Sequence, residues 1–547
     1  MSREQSHKDI ASSQEQLLAV GEKGRIIEYD GKVLIAKHER HRFRENGLST
    51  RNIYPSDTVE LPYNYNYISY EQTHELVNNY LVMLKRGIRP PSNTTGIELE
   101  GTFVNRRGEL ERDVFNKARQ NSRNLNPELM ESTGEFVTAP ENGSYLKDPV
   151  QIANGLGKAI FEGIETAEEM DCRFVITSNP EVPGNQNNTN IPYLNRFAPI
   201  VKDDAYSYMQ NIPQQTRNIY ESVGRSVENI LSPEHKTLDW PNQSTHIHSG
   251  IAQHDDEKMD PRVALVAAHI RLSPFAKIIR STLYSTRYFY GKEFDAKDTR
   301  AQSRWLLHTT HETNLPNNYP QYVRESITSV INGDSPDISR FTGGHDRTRI
   351  TPKKTVEDIG APATPDARAV LAFALSQEIM NTLALEALQY SKGDETKALE
   401  YLQNTYGGLL TAQPGLGENS DHDWDIKFNK NGYSDPDINS QLKNTVILIE
   451  RLGNEYPVLS INSKIVNCML RNASYQPTEL NLQSRLGIDE NGKYDPLIPI
   501  KGLVSDHKKG MDPNELASIQ HHASKKQAEA LMNIETEGDL LVFYGLK

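Results

Sequence analysis

Gly96-Ile-Glu-Leu-Glu-Gly-Thr-Phe-Val104 alternates apolar and polar side chains along its length. A two-residue period is the signature of a half-buried strand, and it puts Glu98 and Glu100 on the same face. Glu131-Ser-Thr-Gly-Glu-Phe-Val137 reads as a second strand, with Glu131 and Glu135 facing one way and Gly134 leaving room for a close approach. Arg173-Phe-Val-Ile176 predicts a short buried strand. Helical patterns follow from Pro149 to Met170, from Asp260-Pro261, and from Pro365-Asp366, where Leu371, Leu375, Ile379 and Leu383 recur every four residues. Strands and helices without βαβ alternation predict an α+β fold built on a largely antiparallel sheet.

Outward from this middle section, 91–385, the chain has two flanks. Residues 1–90 form an N-terminal extension, in which Gly24 to Ala36 predicts a hairpin turning at Asp30-Gly31. The basic stretch Lys37 to Arg51 reads as a solvated loop. Leu76, Tyr80, Leu81 and Leu84 then predict a helix over 70–86 that Arg89-Pro-Pro breaks. Residues 386–547 predict a mostly helical region, clearest at Leu442–Leu452 and Glu515–Ile534. Its boundary near Ser391-Lys-Gly-Asp394 is a short helix break, so this region is expected to pack on the middle section.

The 547 residues carry Lys+Arg 60 against Asp+Glu 73, a net charge of −13. A nonspecific nucleic-acid binder needs the opposite balance, so nucleic acid is not the expected partner. No run approaches about 18 apolar residues, so no membrane span is expected, and the N-terminus lacks an apolar secretory stretch. Two cysteines cannot build a disulfide framework, and a reducing cytoplasm is the expected location.

Two strand carboxylates a few ångströms apart repel each other unless something positive sits with them, and hard divalent cations suit that task. Taken alone, a Glu98/Glu100 pair is more often a solvated polar face. His246 and His248, in Thr245-His-Ile-His248, repeat the same spacing. They could bind zinc, contact phosphate or act as acid and base, although no nearby spacing supplies a third zinc ligand. Arg300 and Arg304 follow Asp295 and Asp298, and Arg347 and Arg349 precede Thr355-Val-Glu357; such clusters suit an anionic ligand or surface ion pairs. Phosphate loops of the Walker and G-x-G-x-x-G types and the G-x-S-x-G elbow are absent.

Taken in order, Gly96-Ile-Glu-Leu-Glu100, Glu131 to Glu135, Thr245-His-Ile-His248, the Gly291 to Arg304 segment and Thr355-Val-Glu357 resemble the carboxylate–amine ligases of the glutamate–cysteine ligase type 2 family. The resemblance covers about half of the chain, 94–380. It implies a glutamine-synthetase-like catalytic funnel in 91–385 that holds ATP with Mg2+ or Mn2+. Glu98, Glu100, Glu131, Glu135 and Glu357 would be metal ligands, and His246, His248 and Arg304 would contact the nucleotide. Arg196, Tyr193 and Arg347 would grip the substrate, with Arg300, Arg304 and Arg347 assisting the chemistry. The expected substrates are a glutamate-like carboxylate and an amine, joined as an amide through an acyl phosphate. Two alternatives are a phosphotransferase acting on a guanidino or carboxylate substrate, and a binding or regulatory member of the family. The oligomeric state stays open, a homo-oligomer included. Where the family's late strand continues with an Arg two residues after its Glu, this chain has Ile359.

Overall fold

The computed structural model describes residues 16–20, 24–29, 32–37, 70–90, 93–111, 114–118, 125–127, 132–138, 146–176, 244–251, 261–271, 273–284, 288–289, 292–293, 348–350, 355–410, 435–474 and 513–546. Its first strands, β1 (Gln16–Val20), β2 (Gly24–Tyr29) and β3 (Lys32–Lys37), form a three-stranded antiparallel sheet. The expected hairpin is β2–β3, in register from Gly24↔Lys37 to Tyr29↔Lys32. The strand β1 beside it was not evident from the sequence. Helix α1 (Tyr70–Lys85) precedes β4 (Asn93–Asn105), the longest strand. Next come α2 (Val114–Ala118), β5 (Leu125–Pro127), β6 (Thr133–Val137), α3 (Pro149–Glu169), β7 (Cys172–Val175) and β8 (Ser244–Ile251). After these lie α4 (Pro261–Arg271), α5 (Pro274–Tyr284), the short strands β9 (Tyr288–Phe289) and β10 (Lys292–Glu293), then β11 (Thr348–Ile350) and β12 (Thr355–Pro362). Helices α6 (Ala367–Tyr390), α7 (Glu395–Tyr406), α8 (Pro436–Glu455), α9 (Ser460–Ser474), α10 (Pro513–Met532) and α11 (Glu537–Phe543) complete the described chain. The fold is α+β: mixed helix and antiparallel sheet.

The main sheet runs β11-β12-β8-β4-β6-β5, and every pairing in it is antiparallel. β7 pairs with the far end of β4, beyond the part that pairs with β8. One face is apolar. Ile97, Leu99, Phe103, Phe136, Ile247 and Val356 are buried there against the helices. The Phe174 ring lies 5.3 Å from that of Phe103 and 5.2 Å from that of Phe136, edge-on to the latter. Gly101 and Gly163 lie against Phe174 so closely that a Cβ at either position would overlap the ring.

Helix α6 lies beneath the sheet. Asp366 caps it by accepting from Arg368 N at 3.0 Å, and it is buried on all sides from Ala367 to Leu388. A helix in the middle of a core needs no polar stripe, which is why the apolar spacing of Leu371 to Leu383 understates how deep it lies. It ends in a turn at Ser391, where Lys392 and Gly393 take positive φ and Asp394 caps the next helix. Helix α9 packs on α6 and α8, and α10 packs on α3 and β7. Arg89, where the sequence breaks, is a fastening point. Its guanidinium donates to Val458 O at 2.8 Å and Asn462 Oδ1 at 3.1 Å, and lies 3.4 Å from Glu378 Oε1 on α6.

Candidate metal centre

The register of the sheet assembles the site. Residues directly opposite one another in antiparallel strands share a face. Glu100 is opposite Glu135, Glu98 is opposite His246, and His248 is opposite Glu357. Strand alternation puts Glu98 with Glu100 and His246 with His248, so four strands present four carboxylates and two imidazoles on one face. Arg349 of β11 stands opposite Glu357 in the same register. These groups are buried: Glu100 is 1% exposed, Glu357 0%, His246 5% and His248 6%.

The side chains converge on Glu98. His248 Nε2 is 2.9 Å from Glu98 Oε1 and 3.7 Å from Glu357 Oε1. His246 Nδ1 is 3.2 Å from Glu98 Oε2 and 3.4 Å from Glu357 Oε1. Burial by itself would raise the Glu98 carboxyl, but His248 and His246 together outweigh it and hold Glu98 well below the usual carboxylate range. The outer ring nitrogens are held by hydroxyls, His246 Nε2 by Ser244 Oγ at 2.7 Å and His248 Nδ1 by Thr355 Oγ1 at 2.9 Å. Glu100 turns toward the strand end, where it accepts from Ser244 N at 2.6 Å and Ser244 Oγ at 2.8 Å.

Two sets of ligand atoms lie within 4.8 Å of one another: Glu98 with Glu135 and His246, and Glu98 with His248 and Glu357. Glu98 belongs to both. His248 Nε2 supplies the test of fit. It is buried, points into the cluster, and makes no aligned hydrogen bond despite its 2.9 Å approach to Glu98. A cation among these atoms would satisfy that nitrogen and offset the carboxylate repulsion. Mixed imidazole and carboxylate donors accept several divalent ions, Mn2+ and Zn2+ as well as Mg2+. Sequence spacing shows no third partner for the two histidines because the partner comes from the neighbouring strands.

On the opposite face, under Glu357 and His248, the strands are bolted to the helices. Asp358 is buried and accepts from Arg280 of α5 at 2.8 Å, and Ser249 Oγ accepts from Asn381 Nδ2 of α6 at 2.6 Å. Just beyond, β12 carries a bulge between Asp358 and Ala361, which are paired with Ile247 and Thr245. Ile359 falls inside that bulge, where the extra residue breaks the alternation.

The other expected site residues lie elsewhere. Glu131 precedes β6, which starts at Thr133 rather than at Glu131, and is outside the described residues. So are Tyr193, Arg196, Arg300, Arg304 and Arg347. Sequence reading did not single out Ser244, Thr355, Arg280 or Asn381; each acts through a partner at least 78 residues away, save for the Ser244–His246 contact.

No protein-family model and no curated protein match this chain. Solved structures do. A bifunctional glutathione synthetase from Pasteurella multocida is 11% identical with a TM-score of 0.40, over 84% of this chain and 54% of that one. A glutamate–cysteine ligase from Francisella tularensis, in complex with AMP, is 11% identical with a TM-score of 0.31, over 80% of this chain and 99% of that one. This chain thus spans about half the length of the first. At such distances the reading rests on the chain's own residues. Among the described residues, no helix is long and apolar enough to cross a membrane.

Proposed function

We propose that the protein is an ATP-dependent carboxylate–amine ligase whose divalent-cation site is the acidic face of the main sheet. One observation carries this reading. Motifs far apart in the chain, around Glu98, Glu135, His246 and Glu357, occupy neighbouring strands and turn their side chains to one point. A solvated strand face would not bury them.

Glu98, Glu135, Glu357, His246 and His248 would hold Mg2+ or Mn2+, with Glu100 braced on Ser244 beside them. When bound, the cation supplies positive charge against the ATP phosphates and the phosphoryl group in flight. The carboxylates keep their geometry because the sheet and its helical underlay hold the strands, so little reorganisation is needed as charge develops. By the family resemblance, Arg300, Arg304 and Arg347 would orient the anions, and Arg196 with Tyr193 would bind a glutamate-like carboxylate. Activation of that carboxylate as an acyl phosphate lets an amine close the amide, releasing ADP and phosphate. In this reading the sheet is the wall of a glutamine-synthetase-like funnel, 91–385 is the catalytic domain, and the protein works in the cytoplasm.

The test is to incubate the protein with ATP, Mg2+ or Mn2+, glutamate and pooled amines. ADP together with a new amide mass supports the ligase. A phosphorylated product that accumulates without any amine points to phosphoryl transfer instead, and nucleotide binding without ADP points to a regulatory protein.

A further inference from the structure

His246 and His248 occupy adjacent same-face positions of one strand, yet they present different nitrogens to the same carboxylates. His246 offers Nδ1 and His248 offers Nε2. The difference lies with two hydroxyls at the edges of the cluster. Thr355 Oγ1 takes the Nδ1 side of His248, and Ser244 Oγ takes the Nε2 side of His246.

Ser244 is the more tightly determined of the two. Glu100 reaches it twice, with Oε2 accepting from the Ser244 backbone N–H at 2.6 Å and Oε1 lying 2.8 Å from the hydroxyl. A carboxylate only accepts, and a hydroxyl has one proton to give. The Ser244 O–H is therefore committed to Glu100, and its lone pairs are left for the Nε2–H of His246, 2.7 Å away. That keeps a ring proton on Nε2 and turns Nδ1 toward Glu98 Oε2 and Glu357 Oε1, where its bond to Glu98 in the metal-free protein would be exchanged for one to a metal. We propose that Ser244 is a positioning residue for the metal centre: the chain Glu100–Ser244–His246 fixes the ring orientation and tautomer through which His246 ligates a divalent cation by Nδ1. The proposal rests on the metal-site part of the functional reading and is independent of the ligase chemistry. Partners of this kind behind a ligating histidine set ligand basicity and ring orientation, and removing one typically weakens metal binding about 10–100-fold.

The experiment titrates Mn2+ alone into the full chain labelled with 15N-histidine, followed by electron paramagnetic resonance with detection of nitrogen coupled to the metal. Wild type should bind with histidine nitrogen coupling. Ser244→Ala should bind about 10–100-fold more weakly, with diminished coupling, and Ser244→Thr, which keeps the hydroxyl, should stay within about threefold of wild type. Ser249→Ala is the contrast. It lies on the same strand but the opposite face, bonded to Asn381, so it should lower the melting temperature and leave both Mn2+ readouts unchanged. If Ser244→Ala does not fold, Ser244→Cys carries the test, since it keeps the volume but gives only a weak donor. Wild-type affinity and coupling in Ser244→Ala or Ser244→Cys would overturn this inference and leave the metal site standing. Failure of the wild-type chain to bind Mn2+ would overturn both. Binding with the expected pattern but without ligase turnover would support this inference and reject the ligase reading.

Discussion

Glu98 lies between His246 and His248, its two oxygens 3.2 Å and 2.9 Å from their inward nitrogens. It is the residue common to both candidate ligand sets. Glu98→Gln should therefore abolish both sites at once, weakening Mn2+ or Mg2+ binding by more than about 100-fold, whereas Glu357→Gln touches one set only. Because Glu98 is held well below the usual carboxylate range by the histidines, the charge-neutral variant should also lower the melting temperature of the metal-free protein. Calorimetric titration and thermal melts in chelator check the two halves separately.

Asp358 and Arg280 form a buried pair at 2.8 Å, with side chains 0% and 3% exposed. Removing one partner takes from the other the opposite charge it faces in the core. Asp358→Ala should cost about 3–5 kcal/mol of stability, measured by denaturant unfolding, and should disturb Glu357 on the neighbouring site face. Replacing both partners by apolar residues of similar volume should cost far less than either single change.

The parts that can be read from the sequence are those set by local period. The alternation in β4, the Asp-Gly turn of the N-terminal hairpin and the proline-opened helices are statements about neighbours in the chain, and they correspond to elements of the structure. The site faces were readable for the same reason, since Glu98 with Glu100 and His246 with His248 follow from a period of two. What the sequence withheld is register. Nothing in the spacing says that His248 lies opposite Glu357 or that Glu98 pairs with His246, because strand pairing is decided by the whole sheet and its helical underlay. A one-residue slip would have turned every one of these side chains to the other face. The bulge that absorbs Ile359 was likewise invisible, and so were α7 and α9, whose polar composition dilutes the apolar stripe.

Gly101 follows Glu100 on β4, and its missing side chain is what allows the Phe174 ring to come so close to the strand. Gly101→Ala should force that ring out of its contacts with Phe103 and Phe136. The expected loss is about 1–3 kcal/mol by denaturant unfolding, with divalent binding reduced as the strand shifts. Gly163→Ala presses on the same ring from α3, so the two changes should be non-additive.

His269, fully buried in α4, is pushed by burial from 6.5 down to about 4. A histidine depressed in the folded state binds fewer protons folded than unfolded. Its contribution is therefore fully present above pH 6.5 and is lost as pH falls toward 4, on the order of 3 kcal/mol across that window. His521 adds to the same slope. Burial lowers it too, and its Nδ1 accepts from Phe174 N at 2.9 Å, a bond that protonation removes. Unfolding free energy measured from pH 7 to 4 should fall accordingly, and His269→Asn should flatten the curve whatever its absolute stability.

Glu135 gives the sharpest contrast with Glu98. It faces Glu100 directly across β4 and β6, a like-charge pair on a buried face, and it belongs to the ligand set with Glu98 and His246. Glu135→Gln keeps the shape and removes one negative charge. Without metal it should leave stability unchanged or raise it by up to about 1 kcal/mol, the opposite sign to Glu98→Gln. With metal it should weaken cation–nucleotide binding and cost roughly 3–5 kcal/mol of transition-state stabilisation, or about 10²–10⁴ in ADP release. A solvated strand residue would change neither quantity by more than about 0.5 kcal/mol. Melting with and without Mg-ATP, alongside ADP release, distinguishes the two outcomes. If nucleotide-induced stabilisation and turnover both match wild type in Glu135→Gln, Glu135 is not a ligand, and the metal-centred reading must stand on Glu98, Glu357 and the histidines alone.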